Sequence, residues 1–159
     1  MFKRKTNQEF FNEINKKIKR SDEKSLKEFE DNHKTIYDTL VSILTDEQIF
    51  QIFNDCNLVM IKSILSNKKN LDINKLYKET TLLTCACYNG YEEVVRLLLS
   101  LSSIDVNQVI PKCGITPLFI ASHKGHERVV RVLLDHATTD VNQATTDIGI
   151  TPLWTACLN

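Results

Sequence analysis

Two pairs of side chains have types that could bind a metal ion, but neither pair has the spacing that a metal site needs. Cys85 and Cys87 form a C-x-C pair, and residues two positions apart on a helix point to different faces. No second cysteine or histidine pair lies nearby at zinc-binding spacing. His123 and His126 are separated by Gly125, which favours the end of a helix between them. We therefore predict no metal site.

Motifs for catalysis are also missing from the sequence. It contains no G-x-S-x-G nucleophile elbow, no P-loop and no other glycine-rich loop for phosphate. No nucleophile is paired with a base at a recognisable spacing. We therefore predict no catalytic residues, no cofactor and no enzymatic activity.

The cysteines and histidines above belong to a phrase that recurs every 35 residues. The first copy is TLLTCACYNGYEEVVRLLL at 81–99, the second is TPLFIASHKGHERVVRVLL at 116–134, and TPLWTACLN at 151–159 begins a third. A single unit of this size cannot bury its own apolar face, whereas stacked neighbours can. The period therefore predicts an array of stacked repeats.

Each unit carries the start and stop signals of a pair of helices. Thr116 is a good N-cap, and Pro117 suits the first helical position, where its missing N–H costs nothing. Gly125 fits the left-handed residue that ends a first helix. Val129 and Leu133 lie at helical spacing and belong to the buried stripe of a second helix. The repeat register predicts helices over 46–54, 58–66, 81–89, 92–100, 116–124, 127–136 and 151–158, with little regular structure in the connections 104–114 and 139–149.

These residues resemble the ankyrin repeat. The family phrase is T-P-L-H-x-A, then G-H, an apolar helix and D-V-N, and it is matched by TPLFIA at 116–121, GH at 125–126 and DVN at 140–142. The preceding copy keeps most of these positions but has Leu82 for the proline and Tyr91 for the histidine. The resemblance implies an all-α ankyrin-repeat solenoid of helix-turn-helix units with finger loops.

The resemblance also divides the chain into units. We expect an ankyrin array over 45–159, with a degenerate first repeat 45–79, full repeats 80–114 and 115–149, and a truncated repeat 150–159. In the degenerate unit, Thr45 and Gln48 have the spacing of a capping box, and DIN at 72–74 aligns with DVN at 105–107. An F-box-like reading of LTDEQIFQIF is an alternative for the same segment.

Residues 1–44 have a different pattern. Phe10, Phe11, Ile14 and Ile18 space as a helix face, and a second apolar stripe follows up to Ile43. We predict an N-terminal helical segment that covers the exposed end of the first repeat, or alternatively a helix for a partner or for self-association. Basic residues concentrate in 1–20, so contact with nucleic acid or an acidic membrane is an alternative function.

The composition is typical of a soluble globular chain, with 42% hydrophobic residues and a net charge of zero. The zero charge argues against nucleic acid as the main partner. No segment reaches the ~18 apolar residues of a membrane span, and no secretory signal is visible. The five cysteines favour reduced thiols and a cytoplasmic location, while the basic run at 2–5 keeps a nuclear location open. Cys87 and Cys157 occupy the place of Ser122, which predicts small half-buried residues there.

The resemblance implies a non-catalytic scaffold that binds a protein partner through the concave ankyrin surface. In that family the finger tips and first helices form this surface. By position, the contact candidates are Tyr77, Lys78, Thr80, Tyr88, Asn89, Lys112, Cys113, Ile115, His123, Lys124, Asp147 and Ile148. The fold does not choose the partner.

The end of the chain inside a repeat leads to two further expectations. The chain could be a targeting or regulatory fragment of a longer enzyme or channel. Leu153, Trp154 and Leu158 would also lack half of their expected neighbours, so we expect this segment to fray or to self-associate.

Overall fold

The computed structural model describes residues 44–68 and 71–158, together with Lys16 and Val41. The N-terminal helical segment predicted for 1–44 lies, apart from Lys16, Val41 and Leu44, outside the described residues. The helices are α1 (Asp46–Asn54), α2 (Leu58–Asn67), α3 (Leu82–Asn89), α4 (Glu92–Leu99), α5 (Pro117–His123), α6 (Glu127–Leu134) and α7 (Pro152–Ala156). The chain is an all-α solenoid, as the repeat register predicts. The predictions for α1 to α6 are confirmed to within two residues at each end.

The helices stack in two rows. The first helices of the units, α1, α3, α5 and α7, pack on one another in that order, and the second helices α2, α4 and α6 form a parallel row. Each second helix also packs against the first helix of its own unit. This arrangement gives the first three units neighbours on both rows, which is how short helices that are marginal alone become stable.

Threonine side chains begin the first helices. The Thr81, Thr116 and Thr151 hydroxyls accept hydrogen bonds from backbone N–H groups three residues later, at 3.0, 3.1 and 3.3 Å. At α1 the capping box is complete, because the Gln48 side chain also accepts a hydrogen bond from the Thr45 N–H at 3.0 Å. These bonds satisfy N–H groups that have no partner inside the helix.

A left-handed residue separates the two helices of each unit. Gly90 has φ +73° and Gly125 has φ +67°. In the first unit the same place is taken by Cys56, which has φ +53° although it is not a glycine. The hydrogen bonds that follow these three residues correspond. In each case the N–H of the residue after Cys56, Gly90 or Gly125 donates to the carbonyl oxygen five residues before it, at 3.1, 3.0 and 3.0 Å respectively. The degenerate unit therefore keeps the turn without the glycine that favours it.

One apolar core runs through the first three units, from Val41 to Leu133. In the first unit it contains Ile52 and Phe53, and further along it contains Leu83, Leu98 and Leu133, each with at most 1% of its surface exposed. Burial of side chains this large contributes about 1.5–3 kcal/mol each. The core is continuous from unit to unit, so the units support one another.

The connections between units carry the finger loops and a ladder of asparagines. Isolated bridges join Tyr77 to Thr80 and Ile110 to Ile115, in agreement with the prediction of little regular structure there. The Asn107 side chain donates to the Thr138 carbonyl at 2.7 Å and accepts from the Asp140 N–H at 2.8 Å. Asn74 makes the equivalent bonds one unit earlier. Each asparagine thereby fastens one connection to the next.

Two expectations for the last repeat are wrong. The helix predicted over 151–158 spans only Pro152–Ala156. Cys157 is exposed, whereas Cys87 and Ser122 at the same position of the phrase are buried. The physical reason is the same for both: within the described residues, no second helix follows α7 to pack over its C-terminal end.

Candidate functional site

The side chains predicted to make contacts lie on the first helices and at the finger tips, which together we call the inner surface. It consists of α1, α3, α5 and α7 with the connections 71–80, 104–115 and 139–150. The second helices α2, α4 and α6 form the opposite, outer surface.

The first finger tip is a two-residue turn. Lys78 and Glu79 both have positive φ, +48° and +68°, and Tyr77 and Thr80 pair their backbone groups on either side at 2.7 and 3.1 Å. Positive φ at both central residues is the geometry that matches the twist of a tight hairpin. The turn directs the exposed Lys78 and Glu79 side chains away from the core.

This tip packs against the first helix of the first unit. The Tyr77 and Phe50 ring centroids are 4.8 Å apart, and Lys78 Nζ lies 3.5 Å from Glu47 Oε1. Burial raises the pKa of the Tyr77 hydroxyl, and its hydrogen bond to Glu47 raises it further. The same hydrogen bond, with the ammonium of Lys78, lowers the pKa of Glu47. At neutral pH Glu47 therefore stays ionised and holds the tip in place.

Neighbouring tips are joined to one another. Lys112 Nζ is 2.6 Å from Glu79 Oε1, so the second tip is paired with the first. The Thr146 N–H donates to the Cys113 carbonyl at 3.0 Å, so the third tip is paired with the second. The tips form a connected strip rather than separate loops.

The third tip presents the most exposed apolar candidate. Ile148 has 72% of its surface exposed, and its N–H donates to Asp147 Oδ1 at 2.7 Å. A hydrogen bond with Thr145, followed by this backbone bond, lowers the pKa of Asp147. An ionised carboxylate thus lies directly beside an exposed isoleucine.

The helical candidates meet across the boundary between units. Lys124 Nζ at the end of α5 lies 4.2 Å from the centre of the Tyr88 ring on α3, within the range of a cation–π contact. His123 Nδ1 lies 3.2 Å from the Thr155 hydroxyl on α7, and its ring is 6.3 Å from that of Phe119. Three successive first helices are linked in this way.

The predicted residues do not all present side chains to a partner. The side-chain amide of Asn89 donates hydrogen bonds to the Cys85 carbonyl oxygen at 3.0 Å and to the Asn54 side-chain oxygen at 3.4 Å. Thr80 and Ile115 are half-buried and pair their backbones within the fingers. The structure brings the others into two groups. The finger group is Tyr77, Lys78, Lys112, Cys113, Asp147 and Ile148, and the helix group is Tyr88, His123 and Lys124.

Some side chains of the inner surface are not among the contact residues predicted from the sequence. Trp154 on α7 has 52% of its surface exposed, whereas Phe119, which holds the same position one unit earlier, is buried. Both replace the histidine of the repeat phrase, and this substitution is the signal that could have identified them. Glu47 and Phe50 had no such signal, because they lie in the degenerate unit, where the phrase is not recognisable.

A small cleft lies under the first tip. Its walls include Ile49, Phe50 and Leu82, with Tyr77 at one side. The ion pair of Lys75 and Asp46, 2.6 Å between Nζ and Oδ2, lies at its edge. The cleft accommodates at most a small apolar group and contains no nucleophile paired with a base among these residues.

The residues with potential chemistry serve structural roles. Burial raises the pKa of the Cys85 thiol to about 11, and burial raises the pKa of Cys87 further still. His126 Nε2 lies 3.0 Å from the Tyr88 carbonyl oxygen, a contact that joins α6 to α3. In residues 44–68 and 71–158, no group of three or more histidine, cysteine or acidic side chains could hold a metal ion.

Two comparisons bear on this architecture. The family model described as "Ankyrin repeats (3 copies)" matches residues 49–145 and 101–159. No curated protein matches the chain. Across the part of the chain that the structure describes, no helix has the length and hydrophobicity to cross a lipid bilayer.

Proposed function

Because the chain belongs to the ankyrin repeat family, whose repeats generally mediate protein–protein interactions, we propose that it is a non-catalytic scaffold that binds a protein partner through its inner surface. The contact residues are Tyr77, Lys78, Thr80, Tyr88, Asn89, Lys112, Cys113, Ile115, His123, Lys124, Asp147 and Ile148. Asn89, Thr80 and Ile115 contribute by fixing backbone and neighbouring side chains.

The observation that carries this proposal is the continuity of the inner surface. Lys112 pairs with Glu79 between fingers, and Lys124 contacts Tyr88 between helices. Each contact holds an exposed side chain of one unit against the next. Side chains held in this way lose less conformational entropy when a partner binds, and this raises affinity.

The division into units belongs to the same proposal. The array comprises residues 45–159, with units 45–79, 80–114, 115–149 and 150–159 following a segment 1–44. The correspondence of Cys56 with Gly90 and Gly125, in conformation and in hydrogen bonds, supports the first of these units. The proposed location is the cytoplasm, because the five cysteines are free thiols.

The alternative functions have no specific support in the described residues. Contact with nucleic acid or an acidic membrane depends on the basic residues of 1–20, of which the structure describes only Lys16. A targeting role within a longer enzyme or channel requires the same kind of partner binding as the scaffold does.

The test is to map where a captured partner binds. Immobilised chain is used to select partners from a library of folded protein fragments, and backbone NMR shifts are then recorded on binding. The proposal expects shifts in α3, α5 and the finger tips, and binding lost in Tyr88→Ala. The control is Arg128→Ala, an exposed position on the outer helix α6, which is expected to bind normally. Shifts confined to α4 and α6 would contradict the proposal.

A further inference from the structure

The charges of the inner surface are mostly neutralised within the fold. Lys75 is paired with Asp46 at 2.6 Å. Lys78 is paired with Glu47 at 3.5 Å, and Lys112 is paired with Glu79 at 2.6 Å. A partner gains little from these three lysines, because each already has a carboxylate.

Lys124 is the exception among the described lysines of the inner surface. Its ammonium lies over the Tyr88 ring at 4.2 Å, and no carboxylate of the described residues lies within ion-pair distance of it. A ring face stabilises a cation only weakly at an exposed site. The contact therefore orients Lys124 without neutralising its charge.

One exposed aromatic side chain lies beside this charge, and a second lies on the next first helix. Half of the Tyr88 surface is exposed. Trp154 adjoins Thr155, whose hydroxyl is 3.2 Å from His123, and His123 is the chain neighbour of Lys124. Tyr88 is therefore the aromatic residue in contact with the ammonium, and Trp154, with 52% of its surface exposed, lies on the next first helix of the same surface. Tyr and Trp with few charges around them are typical anchor residues of protein interfaces.

From this arrangement we propose that the bound partner presents an extended segment in which an acidic residue adjoins an aromatic or aliphatic one. The carboxylate pairs with Lys124, and the apolar side chain lies against Tyr88 or Trp154. This inference rests on the proposed function, since it specifies the partner of the same surface. A charge-assisted hydrogen bond to the carboxylate would replace water around Lys124.

The probe is a display library of random linear peptides selected on the immobilised wild-type chain. We expect enriched peptides to contain Asp or Glu next to an aromatic or aliphatic residue. Trp154 is the single tryptophan of the chain, so its emission should shift to shorter wavelength when such a peptide covers it. Higher salt should weaken binding, because the ion pair is screened.

Charge reversal at two matched positions tests the assignment of the carboxylate. Lys124→Glu should weaken the enriched peptides about tenfold, and Lys124→Gln should weaken them less. Arg128→Glu makes the same reversal on the outer helix α6, where the side chain is exposed, and should leave affinity unchanged. Circular dichroism and urea unfolding establish that each variant remains folded, and the glutamine variant decides the question if the glutamate variant does not fold.

Three results would overturn the inference. The first is that the enriched peptides contain no acidic residue, or that they bind the wild-type chain and Lys124→Gln with the same affinity. The second is tighter binding of a phosphoserine version of the peptide, or of an oligonucleotide, than of the carboxylate peptide. The third is no enriched peptide at all. None of these contradicts the proposed function, which fails only if folded partners map to the outer helices.

Discussion

His126 donates a hydrogen bond from Nε2 to the carbonyl oxygen of Tyr88, with 3.0 Å between the two atoms. A carbonyl oxygen can only accept, so this ring nitrogen carries the proton. The bond joins the start of α6 to the end of α3 in the preceding unit. It satisfies a carbonyl at a helix end that would otherwise have no partner within the helix. It also brings the imidazole against Gly90.

Substitution of alanine for two equivalent glycines, Gly90 and Gly125, should lower the free energy of unfolding by different amounts. A Cβ on Gly90 would lie 2.7 Å from Nδ1 of His126, whereas a Cβ on Gly125 would meet nothing within 4 Å. Gly125→Ala should lower the free energy of unfolding by about 1–2 kcal/mol, the cost of a left-handed residue with a side chain. Gly90→Ala should cost more, and combining it with His126→Ala should remove the steric part. Equal costs for the two single variants in urea unfolding would show that the imidazole moves aside freely.

The third left-handed position should accept glycine. Cys56 has φ +53°, and its thiol is half-buried. Cys56→Gly should be about 1 kcal/mol more stable than Cys56→Ala, because only alanine retains the strained conformation with a side chain. The alanine variant is the control, since both variants lose the thiol. Urea unfolding of the pair decides the point, and the prediction is wrong if the alanine variant is the more stable.

The asparagine ladder should contribute measurably to the stacking of units. Asn107→Ala removes the bonds to the Thr138 carbonyl and the Asp140 N–H. We expect a loss of about 1–3 kcal/mol, because both backbone groups then need other partners. Asn142 occupies the same position of the phrase one unit later, and no side-chain bond of this kind joins it to the described residues. Asn142→Ala should change stability by less than about 0.5 kcal/mol. Equal losses in thermal unfolding would mean that the ladder bonds contribute nothing.

The cysteines should react with alkylating reagents in an order set by burial. The reactive form of a thiol is the thiolate, and a pKa of about 11 leaves Cys85 almost fully protonated at pH 8. Cys87 is completely buried and its pKa is raised further. Cys157 is exposed and should be modified first. Mass spectrometry after short exposure to iodoacetamide measures the order, and in urea all five cysteines should react alike. Early modification of Cys87 in the folded chain would mean that α3 opens readily.

The last repeat should exchange its amide hydrogens faster than the units before it. α7 spans only Pro152–Ala156, and Leu153 and Leu158 have 73% and 66% of their surfaces exposed. Only Pro152 and Thr155 of this helix are buried, so its backbone bonds should open more often than those of the fully packed helices. Hydrogen exchange of a dilute monomer should show lower protection at 152–158 than at 127–134. Comparable protection would mean that the segment is stable as it is, and a rise in protection with concentration would indicate self-association.

The local structure of this protein could be predicted from its sequence because the responsible signals are themselves local. Thr116 and Pro117 begin a helix by their own hydrogen-bonding properties and ring geometry, and Gly125 ends it by tolerating positive φ. Repetition of these signals at one spacing established the helix pairs, the stacking and the family. The conformation of Cys56 was not predictable, because a cysteine carries no left-handed preference and only packing of the two helices imposes it.

The arrangement of side chains on the inner surface depends on contacts between units. Only the tertiary structure decides these contacts. The separation in sequence between Lys112 and Glu79, or between Lys124 and Tyr88, says nothing about whether two side chains point toward each other. Cys87 and Cys157 hold the same position in the phrase, yet one is buried and the other exposed. A position within a repeat determines local conformation, whereas burial and charge pairing are set by the atoms that the adjacent units place around it.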